Sequence, residues 1–277
     1  MQHSGKTILI TGSTDGVGRR VAERLGAKGA HVLVHGRDAA RGAKVVDDLR
    51  KAGGTATFYQ ADLASLAEMR HLADAVAKDH DKLDVLINNA GLGSGASPTT
   101  RRLSADGHEM LFAVNYLAGF LLTALLMPLL RATARARIVN VASAGQQEID
   151  FADVMLTRGY SGGRAYRQSK LAQILFTIDL AEQLKGSGIT VTSLHPSTFM
   201  DTTMVRQAGT TPLSTVDDGA GAILKLAVGA EMEGRTGLYF NVQREAQANA
   251  QAYDAAARAK LRALSEKLTG LPATAIA

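Results

Sequence analysis

A tyrosine and a lysine four residues apart form the first pair in this sequence that could do chemistry. In "AYRQSK" (165–170), Tyr166 and Lys170 stand at positions i and i+4, which share one face of a helix. A phenol loses its proton at about pH 10, and a neighbouring ammonium lowers that pKa because it favours the phenolate. The pair could therefore exchange a proton with a substrate oxygen. The same spacing also occurs on solvated helices, so other residues must distinguish the two interpretations.

Two more polar residues stand where they could join such a pair. Ser143 ends the apolar run "ARIVNVAS" (136–143), and Asn115 interrupts an uncharged run over residues 110–130. A serine hydroxyl at a strand end can hydrogen-bond a substrate oxygen on which charge develops. Simpler roles also fit, because Ser and Asn often bond nearby backbone. Ser143 could cap the strand, and Asn115 could kink a helix.

The elements that would position these residues are strands alternating with helices. The predicted strands are "TILIT" (7–11), "HVLVHG" (31–36), "ATFYQADL" (56–63), "LDVLINNAG" (83–91), "ARIVNVAS" (136–143), "ITVTSLHP" (189–196) and "GLYFNV" (237–242). Helices are predicted between them, among them 17–29, 39–53, 166–185 and one that ends near Leu268. Continuously apolar strands alternating with helices indicate a parallel sheet covered on both faces. We expect one doubly wound (Rossmann) α/β domain over residues 1–277, with about seven strands.

Composition excludes several classes of function. Of the 277 residues, 46% are hydrophobic and 21% are charged, as in ordinary globular proteins. The absence of cysteine rules out disulfides, iron–sulfur clusters and thiol nucleophiles. The formal charge is +5, but no dense Lys/Arg run or basic–aromatic interleaving is present, so we expect no nucleic-acid binding. Asp150 and Asp153 lack histidine partners at ligand spacing, so we expect no metal site.

The uncharged run over residues 110–130 is long enough to cross a membrane. It is interrupted by Asn115, Tyr116, Thr123 and Pro128. We therefore predict a buried helix and no transmembrane segment. The N-terminal "MQHSGKTILITG" has no secretory hydrophobic region, and a cytoplasmic location is expected. A homo-oligomer could form through the 110–130 and 166–185 helices.

A glycine-rich turn lies between the first predicted strand and the first helix. Its sequence, "TGSTDGVG" (11–18), has the spacing GxxxGxG rather than GxGxxG. Glycines here let backbone N–H groups approach a pyrophosphate at the helix N-terminus, where the helix dipole favours anions. The candidate cofactor-binding residues of this turn are Gly12, Ser13, Thr14, Asp15, Gly16, Val17 and Gly18. Because of its position, the turn predicts a dinucleotide site.

The end of the second strand indicates which dinucleotide is preferred. The sequence there is "VHGRDAAR", with Arg37 first, then Asp38, and Arg41 one turn later. A guanidinium suits a ribose 2′-phosphate, whereas a carboxylate suits a free 2′-hydroxyl. Arg37 therefore favours NADP(H) over NAD(H). In the alternative, Arg37 is solvated and Asp38 holds the ribose.

With these motifs in place, the chain resembles the short-chain dehydrogenase/reductase family over nearly its whole length. "TGSTDGVG" is similar to the family's TGxxxGxG turn, and "NNAG" (88–91) to its central-strand motif. Asn115, Ser143, Tyr166 and Lys170 fall in order at the places of its catalytic tetrad. The resemblance implies that Lys170 also holds the nicotinamide ribose and that Asn115 holds a water near Lys170. Further cofactor contacts implied by it are Asp62, Leu63, Asn89, Ala90, Gly91, Pro196, Thr198 and Thr202, besides Tyr166 and Lys170.

Within the family, the chain resembles the retinol-dehydrogenase-like, NADP(H)-preferring group. That likeness is carried by the segment 158–184 and by "SEKLTGL" (265–271). One departure is Ser197 after Pro196, where the family commonly has glycine. The threonine expected to bind the carboxamide is Thr202, with Thr198 and Thr203 as rivals.

The expected activity is hydride transfer between NADP(H) and a carbonyl or alcohol. The substrate segments are predicted at 93–104, 144–164 and 197–217. Their apolar members suggest a lipophilic substrate: Met155, Leu156, Phe199, Met200, Met204 and Val205. A non-catalytic NADP(H)-binding regulatory or scaffold protein is the alternative. A sugar-nucleotide epimerase would need a longer C-terminal substrate domain.

Overall fold

Strands and helices alternate through most of the chain. The structure is a computed structural model that describes residues 2–94 and 99–273. The strands are β1 (Thr7–Ile10), β2 (His31–Gly36), β3 (Thr55–Gln60), β4 (Val85–Asn88), β5 (Arg137–Val141), β6 (Thr190–His195), β7 (Leu238–Asn241) and β8 (Arg244–Glu245). The α-helices are α1 (Gly16–Gly26), α2 (Ala39–Lys51), α3 (Leu66–Asp79), α4 (Met110–Phe112), α5 (Ala118–Leu125), α6 (Met127–Arg131), α7 (Gly162–Gln183), α8 (Thr203–Gln207), α9 (Val216–Val228) and α10 (Ala255–Thr269).

The strands form one sheet in the order β3-β2-β1-β4-β5-β6-β7-β8. All neighbours are parallel except β7 and β8. The chain reverses direction across the sheet after β3, as in a doubly wound fold, so the predicted fold class is confirmed. The eighth strand is a two-residue hairpin arm beyond Val242, whose φ is +55°. An arm this short leaves no alternating pattern in the sequence.

Side chains on the strands alternate between two apolar layers. Ile8 and Ile10 pack with α1, α2 and α9 on one face. Leu9, between them, packs on the other face with residues of α3, α5, α7 and α10. This alternation follows from the two-residue period of a strand. The sheet is therefore covered on both sides, as the continuously apolar strands predict.

The segment over residues 110–130 is several short helices rather than one. A π turn, Ala113–Leu117, separates α4 from α5, and α6 begins with Pro128 in its first turn. Most of these side chains are buried among the chain's own helices. Their burial accounts for the apolar composition without a second subunit, and an oligomer remains a prediction. Among the described residues, no helix is long and apolar enough to cross a membrane.

Helix α7 is covered on its outer side by α10. The guanidinium of Arg258 on α10 lies 2.8 Å from the Glu182 carboxylate, and Arg262 lies 3.0 Å from Asp179. Helix α7 begins at Gly162, four residues earlier than predicted, because Ser161 caps it by accepting a bond from the Arg164 N–H. Tyr166 therefore lies in its second turn rather than at its start.

Close approach of α1 to the glycine turn requires a residue without a side chain at position 18. A Cβ atom on Gly18 would lie 2.4 Å from the Gly12 carbonyl oxygen and 2.4 Å from Asn89 Nδ2. The first of these neighbours is backbone, which cannot rotate away. Gly18 thus fixes how closely α1 packs against the ends of β1 and β4.

Replacing Gly18 with alanine should destabilise the fold. We expect Gly18→Ala to lower the free energy of unfolding in urea by about 1–3 kcal/mol, because the added methyl overpacks a rigid contact. The matched control is Gly221→Ala in α9, where the nearest atom to the new Cβ is 3.7 Å away. That change should leave stability equal or raise it by up to about 1 kcal/mol. Equal loss in both variants would contradict the packing argument.

Candidate active site

The glycine turn is held in shape by the neighbouring strand ends. Gly12 has a φ of +63°, and a Cβ atom there would lie 2.9 Å from Ala90 Cα. Its N–H donates to His35 Nδ1 at 3.1 Å. His35 is buried, which lowers its pKa to about 4, so the ring is neutral and accepts this bond. Asp15 caps α1 by accepting from the Gly16 N–H.

The "NNAG" motif supports this turn from β4. The Asn89 amide donates to the carbonyls of Thr11 at 2.9 Å and Gly12 at 3.2 Å. The Thr11 hydroxyl accepts from the N–H groups of Asn89 and Ala90, each at 3.0 Å. Asn88 points into the core instead, where it donates to Asn140 Oδ1 at 2.9 Å. Two of the predicted cofactor residues, Asn89 and Ala90, thus lie beside the glycine turn, whereas a Cβ atom on Gly91 would lie 3.4 Å from Lys170 Nζ.

Arg37 and Asp62 meet at the ends of β2 and β3. Arg37 Nη1 lies 3.7 Å from an Asp62 carboxylate oxygen, and both side chains are exposed. Asp38 is already engaged, because it caps α2 by accepting from the Arg41 N–H. Leu63 follows Asp62 and is buried. Of the two residues that compete for the ribose, Arg37 therefore has the freer side chain.

Tyr166 and Ser143 are brought together although they are 23 positions apart. Ser143 lies just beyond the carboxyl end of β5, and a Cβ atom on Gly145 would lie 3.5 Å from Ser143 Oγ and 3.9 Å from Tyr166 Cε1, so the two side chains are neighbours. The Ser143 hydroxyl also accepts from the Gly145 N–H at 3.1 Å. The Ser143 carbonyl accepts from Tyr239 of β7 and from Gln146. Both hydroxyls stand at the edge of the sheet where ligands bind in open α/β folds.

Lys170 lies one turn beyond Tyr166, with Nζ 5.9 Å from the tyrosine ring centre. Its ammonium is buried and donates to the Val141 carbonyl at 2.9 Å and to Gln173 Oε1 at 3.0 Å. Burial lowers the Lys170 pKa to about 7. Burial also raises the pKa of Tyr166, opposed by the hydrogen bond from Ser143. Burial of Tyr166 is the larger effect here, and a lowering of its pKa by the Lys170 ammonium stays a prediction.

Asn115 lies in the π turn, and both its amide oxygen and its amide nitrogen are hydrogen-bonded. Its Oδ1 accepts from the Leu92 N–H at 2.7 Å. Its Nδ2 donates to the Leu92 carbonyl at 3.1 Å and to the Ser169 hydroxyl at 2.9 Å. Ser169 immediately precedes Lys170. The side chain therefore joins the end of β4 to α7, and π turns often mark such functional positions.

The segment after β6 lies over the glycine turn. Pro196 follows the strand, and the Thr198 hydroxyl is 3.0 Å from His195 Nε2. The Thr203 hydroxyl donates to Asp15 at 2.9 Å. Thr202 caps α8, and its methyl would touch a Cβ atom on Gly16 at 3.4 Å. Thr202 and Thr203 therefore lie near the turn, Thr198 bonds the end of β6, and the role of Thr202 stays a prediction.

The three predicted substrate segments are in contact with one another. Arg101 donates to the Met155 carbonyl at 2.8 Å, and Tyr160 donates to Glu109 at 3.0 Å. A Cβ atom on Gly93 would lie 3.0 Å from Met204 Cγ, which brings the first and third segments together. Residues 95–98 of the first segment lie outside the described residues.

Several residues of the site were not found from the sequence. Gln173 could have been, since it lies one turn after Lys170 on the same helix face. His35 of β2 accepts a hydrogen bond from the glycine turn, and Tyr239 of β7 donates one to the Ser143 carbonyl. Such contacts depend on the strand order, which no local pattern reveals.

The residues present fit a nicotinamide dinucleotide. A turn with a glycine in the left-handed region leads directly into the N-terminus of α1, which suits a pyrophosphate. Arg37 lies at the ends of β2 and β3, and Lys170 lies beneath the end of β5. Along the sheet edge from β3 to β5 these groups follow the order Arg37, glycine turn, Lys170, which is the order of the adenosine, pyrophosphate and nicotinamide parts of a dinucleotide.

Known proteins with similar sequences bear out this interpretation. A model of the short chain dehydrogenase family matches residues 6–212. Mouse retinol dehydrogenase 14 is 36% identical over 294 aligned residues, covering 96% of this chain and 86% of that protein. Human retinol dehydrogenase 13 is 35% identical, covering 98% of this chain and 87% of that protein. The resemblance to the retinol-dehydrogenase-like group is thereby confirmed.

Solved structures give the same result. A crystal structure of an uncharacterised protein from Mycobacterium paratuberculosis is 31% identical with a TM-score of 0.79, covering 96% of this chain and 94% of that one. The Pseudomonas aeruginosa RhlG/NADP active-site complex is 29% identical with a TM-score of 0.71, covering 86% of this chain and 95% of that one. The family model spans far more than half of the 277 residues. The chain belongs to the short-chain dehydrogenase family and is an oxidoreductase.

Proposed function

We propose that the protein is an NADP(H)-dependent oxidoreductase that interconverts a lipophilic carbonyl compound and its alcohol. The observation that carries this is that Ser143 and Tyr166 face each other across Gly145, whose added Cβ would lie 3.5 Å from Ser143 Oγ and 3.9 Å from Tyr166 Cε1, with the Lys170 ammonium one helical turn away. Ser143 lies just beyond the carboxyl end of β5, and Lys170 donates to Val141, the last residue of that strand. A purely cofactor-binding protein would have no use for these three groups together.

Tyr166 is the proposed proton donor in the direction of reduction. The bound cofactor supplies hydride to the carbonyl carbon. The developing alkoxide takes the phenolic proton of Tyr166, which leaves a phenolate. In oxidation the same oxygen accepts the proton from the alcohol. Because burial raises the pKa of Tyr166, the side chain enters the reduction protonated at neutral pH.

The remaining members of the tetrad stabilise charge and hold position. The Ser143 hydroxyl can donate to the substrate oxygen as negative charge develops on it. The Lys170 ammonium favours the phenolate that Tyr166 becomes. Asn115 anchors Ser169, next to Lys170, to the backbone of Leu92. Its proposed task is thus to fix α7 against the end of β4 and keep the reacting groups in register.

Preference for NADP(H) is proposed from the charges at the ends of β2 and β3. The Arg37 guanidinium is exposed and lies 3.7 Å from Asp62, whereas Asp38 is occupied as a helix cap. A 2′-phosphate could be held by the planar donor fork of Arg37. Several neighbours support this, since the RhlG complex and a Burkholderia cenocepacia short chain dehydrogenase complex, 27% identical with a TM-score of 0.71, are both described with NADP.

A lipophilic substrate is proposed from the apolar groups around the tetrad. Leu111, Leu156 and Ala165 form a small buried cluster that packs against Tyr160 and Tyr166. Phe199 and Met204, after β6, remain exposed. Exposed large apolar side chains beside a catalytic group are typical of a site whose ligand covers them. The retinoid that gives the mammalian relatives their names has this general character.

A homologous series of linear aldehydes, from butanal to decanal, tests both the reaction and the pocket. With NADPH as the reductant, we expect turnover, and kcat/KM should rise by up to about four-fold for each CH₂ buried. The measurement is the loss of NADPH absorbance. Tight NADPH binding without turnover across aldehydes and ketones would instead favour a regulatory or scaffold protein. A flat series with good turnover would contradict the lipophilic pocket alone.

Removing the phenolic hydroxyl should remove the proton donor. We expect Tyr166→Phe to lower kcat on any accepted aldehyde by about 10²–10⁴-fold, with little change in NADPH affinity. Tyr253→Phe is the control, because it removes the same group from a tyrosine that is 44% exposed and far along the chain. Full activity in Tyr166→Phe would show that another group donates the proton.

Reversing the charge at position 37 should change the cofactor preference. We expect Arg37→Asp to raise the KM for NADPH by about ten-fold or more, because a charge-assisted contact is replaced by repulsion, and to leave the KM for NADH nearly unchanged. Lys260→Asp makes the same charge change on exposed α10 and should affect neither. Equal effects on both cofactors would refute the role of Arg37.

A further inference from the structure

The Lys170 ammonium has an unusual set of partners for a buried cation. Its two hydrogen-bond acceptors, the Val141 carbonyl and Gln173 Oε1, are both neutral. Within residues 2–94 and 99–273, no carboxylate lies within ion-pair distance of it. A lysine buried in this way keeps its proton only if its N–H groups find well-placed hydrogen-bond acceptors. The two acceptors therefore have a large share in deciding whether Lys170 is charged.

Hydrogen bonds fix the backbone of Gln173 at the point where its side chain meets Lys170. It lies one turn further along α7 and is only 4% exposed. Its backbone carbonyl accepts from the Thr177 hydroxyl at 2.8 Å, and that hydroxyl accepts from Asn140 Nδ2 at 2.9 Å. Asn140 is bonded in turn to Asn88 of β4. The backbone of Gln173 is thus fixed to the sheet through a chain of buried polar groups.

The geometry points to Gln173 as a positioning residue for Lys170, one that favours the charged ammonium and directs it toward Tyr166. An ammonium has three N–H donors. Two are bound by Val141 and Gln173, so the direction of the third is fixed. This inference rests on the proposed function, because it assigns the charge on Lys170 a task in the proton transfer. Neither the tetrad nor the glycine turn includes Gln173.

Other groups that face Lys170 would respond little to a change at Gln173. Tyr166 lies on the same helix, and its ring centre is 5.9 Å from Nζ. His195 of β6 is buried, and its pKa is lowered by that burial and then by the charge on Lys170. From β5 the neutral Val141 carbonyl faces it, and Asn115 of the π turn is close, because a Cβ atom on Gly91 would lie 3.4 Å from Lys170 Nζ and 3.3 Å from Asn115 Oδ1. A variant at Gln173 therefore changes only the acceptor at that position, and the other groups that face Lys170 keep their places.

Two substitutions should move the Lys170 titration in opposite directions. Gln173→Leu removes the acceptor, so the ammonium should lose its proton about one pH unit lower. Gln173→Glu places a carboxylate there and should raise the midpoint by about one pH unit or more. Gln183→Leu, on the same helix nearly three turns away, should leave it unchanged.

The midpoint can be measured without any turnover. In the full chain, with and without NADPH, the ε-carbon resonance of ¹³C-labelled Lys170 is titrated, and Lys170→Met assigns it. If Gln173→Leu fails to fold, Gln173→Asn serves in its place, because a side chain shorter by one CH₂ withdraws the acceptor. Midpoints within about 0.2 units of wild type in both Gln173→Leu and Gln173→Glu would overturn the inference, as would shifts in the same direction.

Activity gives the second readout. Because a charged Lys170 is needed, kcat should fall as pH rises through its pKa. That falling limb should lie lower in Gln173→Leu and higher in Gln173→Glu. A merely structural role would lower thermal stability and leave the limb in place, which would contradict positioning. If the Gln173 variants show the titration shifts but the wild-type protein has no turnover, the proposed function is contradicted. The Gln173–Lys170 contact is then still supported.

Discussion

Burial of the Lys170 ammonium beside neutral acceptors is the constraint on which the rest of the site depends. Taking a cation out of water costs several kcal/mol, and a carboxylate partner would usually offset this. A carboxylate here would also neutralise the field that Lys170 exerts on Tyr166. The chain uses the Val141 carbonyl and Gln173 instead. The charge remains poorly compensated, and burial lowers its pKa to about 7. A phenolate on Tyr166 would then supply the missing negative charge at the moment when proton transfer creates it.

This arrangement requires α7 to keep one position against the sheet. A polar chain inside the core provides it, running from Asn88 of β4 to Asn140 of β5 and on to Thr177 of α7. Polar groups at such depth are unfavourable unless they are bonded, so a shift of α7 by one residue would break several bonds together. Asn115 makes a second connection, from Leu92 to Ser169. The buried asparagines Asn88, Asn140 and Asn115 therefore help to keep α7, with Tyr166 and Lys170, at the ends of the strands.

The sequence predicts the parts of the fold that depend on short continuous segments of chain, and not those that depend on contacts between distant segments. Apolar strands, the glycine turn and the "NNAG" motif depend on local patterns, and the structure has them in the expected order. The start of a helix is hard to predict where local signals conflict, as at the two glycines that open α7. The π turn around Asn115 and the bond from Tyr239 to Ser143 arise only from tertiary packing. The direction of the Tyr166 pKa shift is also not readable from the sequence, because it depends first on how deeply Tyr166 itself is buried.

The two sides of the site differ in how they are held, and this has a consequence for specificity. Tyr166 and Lys170 lie on α7, which packs on the sheet on one side and is clamped by Arg258 and Arg262 of α10 on the other. The segments beside the site are held in part by side-chain bonds such as those from Arg101 and Tyr160. If these segments contact the substrate, as proposed, changes in them would alter which molecule reaches Tyr166 while α7 keeps its position. The reaction class would then depend on the packed core, and the choice of substrate on the loops beside it.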